Sequence, residues 1–195
     1  MWEMEISMDY LSALAWAIAE HWQIWVVTVV LILAAVIDGF ELKVPNWITL
    51  PMVISGWRYS TVAFGWEGLL WSLMGTAMGL ALLLPAYAIG GMGAGDVKLL
   101  AGVGAWIFAS HTFYAFCVSS IVGAVLAVSM VLYNKAWQKH SAQFWMILSE
   151  VMTIRNPTQL STIAGERKST MLLLPYGIPI AIGTIGYFFW MGMLI

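Results

Sequence analysis

"QIWVVTVVLILAAVIDGF" runs from Gln23 to Phe40 and decides the fold. Between Ile24 and Phe40 the only ionisable side chain is Asp38. A helix crosses the hydrocarbon core with about 20 apolar residues, so this stretch reads as a spanning helix that carries one acid near its end. A short turn follows, and Asn46, directly after Pro45, opens the next apolar run. Proline at the entry is a helix-start signal.

The composition agrees. Of 195 residues, 62% are hydrophobic and 9% charged. Soluble domains carry about 25% charged residues, so this chain cannot cover a water-facing surface. The twelve Trp suit the headgroup zone. The net charge of −2 and the lack of a basic run give no sign of nucleic acid binding. Cys117 is the only cysteine, which excludes an internal disulfide and a multi-cysteine zinc site. His21, His111 and His140 are scattered and form no metal constellation. The acidic start (Glu3, Glu5, Asp9) is unlike a cleavable signal peptide, which begins basic.

Working outward, six spans are expected, at roughly 23–40, 46–64, 68–89, 95–110, 112–134 and 171–194. Tyr10–Trp22 is apolar but too short to cross and reads as an interfacial helix. Residues 135–170 are polar, with "AQFWMILSEVMTIR" as a candidate amphipathic helix on the membrane surface. The expectation is an all-α polytopic membrane protein of one domain, residues 1–195. Placing the N-terminus outside puts Lys43, Lys98, Lys135, Lys139, Arg155, Arg167 and Lys168 on the cytoplasmic side. That is all of the eight basic residues but Arg58, as the positive-inside rule prefers.

This orientation brings a second acid level with Asp38. "GGMGAGDVKLL", Gly90–Leu100, leads through four glycines into Asp96. Helix one ends near Asp38 and helix four begins near Asp96, so both carboxylates lie at the cytoplasmic edge. Alone, Asp96 reads equally well as a helix N-cap, and Asp38 as an interface acid. As a pair at matched depth they suggest chemistry. Two close carboxylates share a proton; one can draw a proton from water while the other polarises a peptide carbonyl. Gly93 and Gly95 allow backbone to approach backbone. The helix C-terminus near Asp38 disfavours an anion and the helix N-terminus at Asp96 favours one, which points to Asp38 as the more frequent carrier of the shared proton.

Three segments together resemble the type IV prepilin peptidases, which are G-x-G-D intramembrane aspartyl proteases. Gly93-Ala94-Gly95-Asp96-Val97-Lys98-Leu99-Leu100 resembles the family's second aspartate motif. Asp38 followed by Val44-Pro45-Asn46-Trp47-Ile48-Thr49 resembles the first. Leu174-Pro175-Tyr176-Gly177-Ile178-Pro179 resembles the Pro-Tyr-Gly segment of the last helix. The resemblance implies a bacterial inner-membrane enzyme that cuts a short basic leader from pilin-like precursors at the cytoplasmic face. Cleavage would fall just before the precursor's hydrophobic helix. Asp38 and Asp96 would be catalytic, without a metal or other cofactor. Gly93, Gly95, Lys98, Pro175, Tyr176 and Gly177 would shape the site. Bifunctional members carry zinc-binding Cys-x-x-Cys pairs and also N-methylate the new terminus. With one cysteine, this sequence resembles the compact, peptidase-only branch found with tight-adherence (Flp-type) pili.

Lys98 falls on a different helix face from Asp96 and reads first as an interface anchor. Pro175 and Pro179 are expected to kink the start of helix six. Two other readings stay open: a proton-coupled transporter or channel, and a non-catalytic subunit of a secretion system. A transporter usually places its acids near the midplane and repeats its halves; here both acids lie near one face.

Overall fold

The computed structural model describes residues 20–88, 91–133 and 175–194. The described residues are helical, without a strand. The helices are α1 (Trp22–Glu41), α2 (Asn46–Ala88), α3 (Ala94–Tyr133) and α4 (Gly177–Trp190). The first three are long and apolar enough to cross a membrane; α4 is a shorter apolar helix. The expected interfacial helix lies outside the described residues as far as residue 19, and so does the 135–170 segment.

Two of these helices are folded back on themselves. Gly65 breaks α2 with φ 68° and ψ −149°, a region open essentially to glycine alone. Trp57 Nε1 donates to Thr76 Oγ1 at 2.9 Å across the break. At about 1.5 Å per residue, a straight helix would hold these two residues nearly 30 Å apart. Residues 46–64 and 66–88 are therefore two arms of a hairpin. Phe108 breaks α3 in the same way, with φ 64° and ψ 176°. The described chain thus holds six helical arms. The Gly65 break falls in the expected gap between the second and third spans. The other break falls at Phe108, earlier than the expected gap beside His111.

Small residues set how closely the arms pack. Gly75 and Gly104 meet backbone to backbone, so a Cβ on either would run into the other's carbonyl oxygen. A Cβ on Gly79 would meet the Leu100 carbonyl oxygen at 2.6 Å. Close backbone approach through small residues is the usual adhesive between membrane helices, where lipid removes the hydrophobic incentive. Polar side chains then satisfy exposed backbone. Ser72 Oγ donates to the Ala105 carbonyl at 2.5 Å, and Trp106 Nε1 donates to the Met52 carbonyl at 2.9 Å. The Ala105 carbonyl lies three residues before the break at Phe108, where the regular helical ladder is interrupted and lipid offers no partner.

The most extensive packing joins α2 to α3; α4 packs on α3, and α1 leans chiefly on α4. The chain order therefore does not give the neighbours: α1 is closed by the last described helix. This arrangement carries Asp38 to the start of α4.

Candidate active site

Asp38 lies in the last turn of α1 and is 2% exposed. Leu42, in the left-handed conformation, closes that turn by donating its N–H to the Asp38 carbonyl at 2.9 Å. The Asp38 side chain points to α4, where its Oδ2 accepts the Gly177 N–H at 2.8 Å. Residue 177 must be small for this contact. A Cβ there would stand 2.8 Å from Oδ2 and 3.1 Å from both Cβ and Cγ of Asp38.

Asp96 occupies the first turn of α3 and is 5% exposed. Its Oδ2 accepts the Gly93 N–H at 3.1 Å, which folds the glycine segment back over the carboxylate. Gly95 presses on Val44: a Cβ would lie 2.5 Å from the Val44 carbonyl oxygen and 3.0 Å from its Cβ. The contact seats the start of α3 against the turn that follows Asp38. Lys98 Nζ donates to Asn46 Oδ1 at 2.9 Å and ties the same two segments again. Lys98 is thus a strut between the two aspartate-bearing motifs.

Residues 175–177 complete the assembly. The Tyr176 ring rests on Gly123, where a Cβ would come within 3.3 Å of Cε2 and 3.4 Å of the hydroxyl. Gly177 thus meets Asp38 with its backbone, and Tyr176 packs on α3, the helix that begins beside Asp96. Among the described residues α4 begins at Gly177: the Pro175 carbonyl accepts the Ile178 N–H at 3.2 Å, and Pro179 falls within the first turn of α4, where proline is tolerated; the part of the expected span before Pro175 lies outside the described residues.

The helix-end argument for Asp38 changes with the structure. The C-terminus of α1 disfavours its anion, but the N-terminus of α4 is aimed at the same carboxylate and favours it. The two ends oppose each other, so they no longer single out Asp38 as proton carrier. Val44 and Asn46 belong to the first aspartate motif, but their contacts with Gly95 and Lys98 are not legible in the sequence. Among the described residues no group of three His, Cys, Asp or Glu is placed to hold a metal ion.

A family model described as the type IV leader peptidase family matches residues 25–128. The chain belongs to that family. The matched stretch contains both Asp38 and Asp96 and stops short of Pro175–Gly177, which the fold returns to Asp38. Curated relatives carry the name prepilin leader peptidase/N-methyltransferase. The Aeromonas hydrophila protein is 28% identical over 142 residues, 68% of this chain and 49% of its own. The Aeromonas salmonicida protein is 29% identical over 60% of this chain and 42% of its own. The Neisseria gonorrhoeae protein is 33% identical over 54% of this chain and 39% of its own. The matches thus span less than half of each of these relatives. No solved structure matches the chain.

Proposed function

We propose that this protein is a membrane-embedded aspartyl endopeptidase that removes the basic leader from type IV pilin-like precursors. The observation that carries the reading is two buried acids, Asp38 seated on Gly177 and Asp96 on a segment that Gly95 and Lys98 hold against the turn after Asp38. Family membership and the names of the relatives support the same activity. In this reading the six arms are six membrane spans. The N-terminus lies outside and the acids at the cytoplasmic face, because that orientation keeps the basic residues inside.

The chemistry follows from one proton shared by two carboxyls. The ionised carboxylate takes a proton from water as the water oxygen bonds to the scissile carbonyl carbon. The protonated carboxyl gives its proton to the carbonyl oxygen. The tetrahedral product then collapses: a proton from one carboxyl goes to the departing nitrogen, the C–N bond breaks, and one of the two hydroxyls gives its proton to the other, ionised carboxylate as the carbonyl of the new acid forms, which restores the shared proton. No metal or other cofactor takes part. Gly93 and Gly95 hold the start of α3 in place, Lys98 braces it, and Pro175, Tyr176 and Gly177 shape the cavity near the acids. The proposal covers the peptidase step alone. N-methylation is left out of it, because the bifunctional pattern rests on Cys-x-x-Cys pairs and Cys117 is the only cysteine in this sequence.

The test is cleavage of a pilin-like precursor in membranes, with Asp38→Asn and Asp96→Asn at matched expression. Asparagine keeps the size but cannot exchange the proton. Both variants are expected to lose cleavage while remaining folded. Normal cleavage by either one removes that carboxylate from the chemistry.

A further inference from the structure

Beside the acids, an apolar groove of about 460 Å³ opens between α1 and α4. From α1 it takes Ile32, Ala35, Val36, Gly39 and Phe40, a spacing of three and four residues. From α4 it takes Ile178, Ala181, Ile182 and Ile185, the same spacing. Two helices that each turn a three-four stripe to a common trough offer the ridges into which a third helix packs. The cross-section suits that too. Ala35, Gly39 and Ala181 make a low floor, while Ile32, Val36 and Ile182 stand about half-exposed as rims, at 51%, 50% and 52%. Small residues on a floor let helix axes come close.

The groove also has a fixed end. Gly39 and Ile178 face each other across it: a Cβ added at 39 would lie 3.6 Å from Ile178 Cδ1. They are the chain neighbours of Asp38 and Gly177, the hydrogen-bonded pair of the site. From Phe40 back to Ile32 the trough runs about 12 Å along α1, at about 1.5 Å per residue. A helix seated there would end beside the Asp38–Gly177 contact.

We infer that the α1–α4 groove holds the first turns of the precursor's own hydrophobic helix and so sets which peptide bond reaches Asp38 and Asp96. The inference rests on the peptidase reading and adds to it a place for the substrate helix. Continuity with the carboxylates selects this occupant over a lipid chain or a second copy of the protein, neither of which has reason to end at Asp38. The groove measures distance from the start of the apolar helix, so the cut falls at a fixed offset from it.

Cysteine cross-linking tests this. Cys117, the only native cysteine, is first replaced by serine. Single cysteines then go in at Val36 and Ile182 on the rims, and at Val62 and Val125 as exposed controls elsewhere. The Asp96→Asn background keeps the precursor uncut and leaves the Asp38–Gly177 contact in place. The partner is a precursor with single cysteines along its first helical turns. Cross-links at Val36 and Ile182 are expected on the order of tenfold above both controls, because a docked pair reacts as though intramolecular. They should recur every three to four precursor positions. Equal yields on all four faces overturn the inference. So do cross-links between two copies of the enzyme in place of the substrate. Cleavage of the same precursor by the serine-for-cysteine enzyme with both acids intact is measured in parallel. Its absence removes the peptidase reading, and the groove assignment with it.

Discussion

Gly177→Ala is the sharpest single perturbation of the site. The added Cβ would meet Asp38 Oδ2 at 2.8 Å and Asp38 Cβ and Cγ at 3.1 Å. Ordinary van der Waals contact between carbons begins near 3.5 Å, so several tenths of an ångström must be found. The softest yielding part is the end of the Asp38 side chain, which can rotate out of its bond to the Gly177 N–H. Global stability should therefore change little. Activity should not be spared. A hydrogen bond to a charged group is worth about 1.5–3 kcal/mol, and each 1.36 kcal/mol is about tenfold in rate. Displacing a reacting group by an ångström costs about 100-fold by itself. The expected result is a fall in kcat of about 10- to 150-fold on these figures, with the melting temperature shifted by only a few degrees. Gly186→Ala is the control: on the same helix, a Cβ there meets nothing within 4 Å. The assay is precursor cleavage in detergent beside thermal unfolding of each variant. If Gly177→Ala cleaves within twofold of the wild type at unchanged stability, Asp38 does not depend on its seat at α4, and the reasoning fails.

Gly95→Ala should behave differently. Its Cβ meets the Val44 backbone carbonyl at 2.5 Å, which cannot rotate away, so stability falls by about 1–3 kcal/mol as in other overpacked sites and cleavage falls with it; thermal unfolding separates the two variants. Lys98→Ala and Asn46→Ala remove the same exposed bond of 2.9 Å, so each should cost activity a few-fold and the double variant no more than either alone; additive losses in the double-mutant cycle would show that Lys98 acts elsewhere. Cleavage should pass through a maximum with pH, falling in acid as the pair takes up a second proton and falling again as it loses the shared one with rising pH. A pH–rate profile of kcat/KM, flat from acid to neutral, would contradict a shared proton.

Much of this arrangement was legible because a membrane makes polar residues expensive. Asp38 and Asp96 stood out against apolar surroundings, and Pro45 marked the start of α2 at Asn46. Gly65 fell in an expected gap, since few other residues adopt its backbone. Phe108 did not, because nothing local asks a phenylalanine to take φ 64°. That break is supported by distant groups: Ser72 on the Ala105 carbonyl, and the Phe64 ring at 6.1 Å from that of Phe108. The partner of Asp38 was equally hidden. Gly177 lies 139 positions away, and only the docking of α4 against α1 joins them. The family resemblance named the segment, but its contact could not be read from any local pattern.

The way each acid is held bears on how it can work. Asp38 and Asp96 each accept a glycine N–H, at 2.8 and 3.1 Å. A backbone amide orients a carboxylate without bringing a full positive charge to it. A lysine or arginine in the same place would hold its partner ionised, and a pair of permanently ionised acids has no proton to lend to a carbonyl oxygen. Glycine is also the residue whose amide can come this close, because no Cβ stands in the path at 177. Lys98, two residues from Asp96, donates to Asn46 Oδ1 at 2.9 Å and braces the two segments. In the proposed reaction these glycines would fix where the carboxylates point, through backbone amides that carry no full charge.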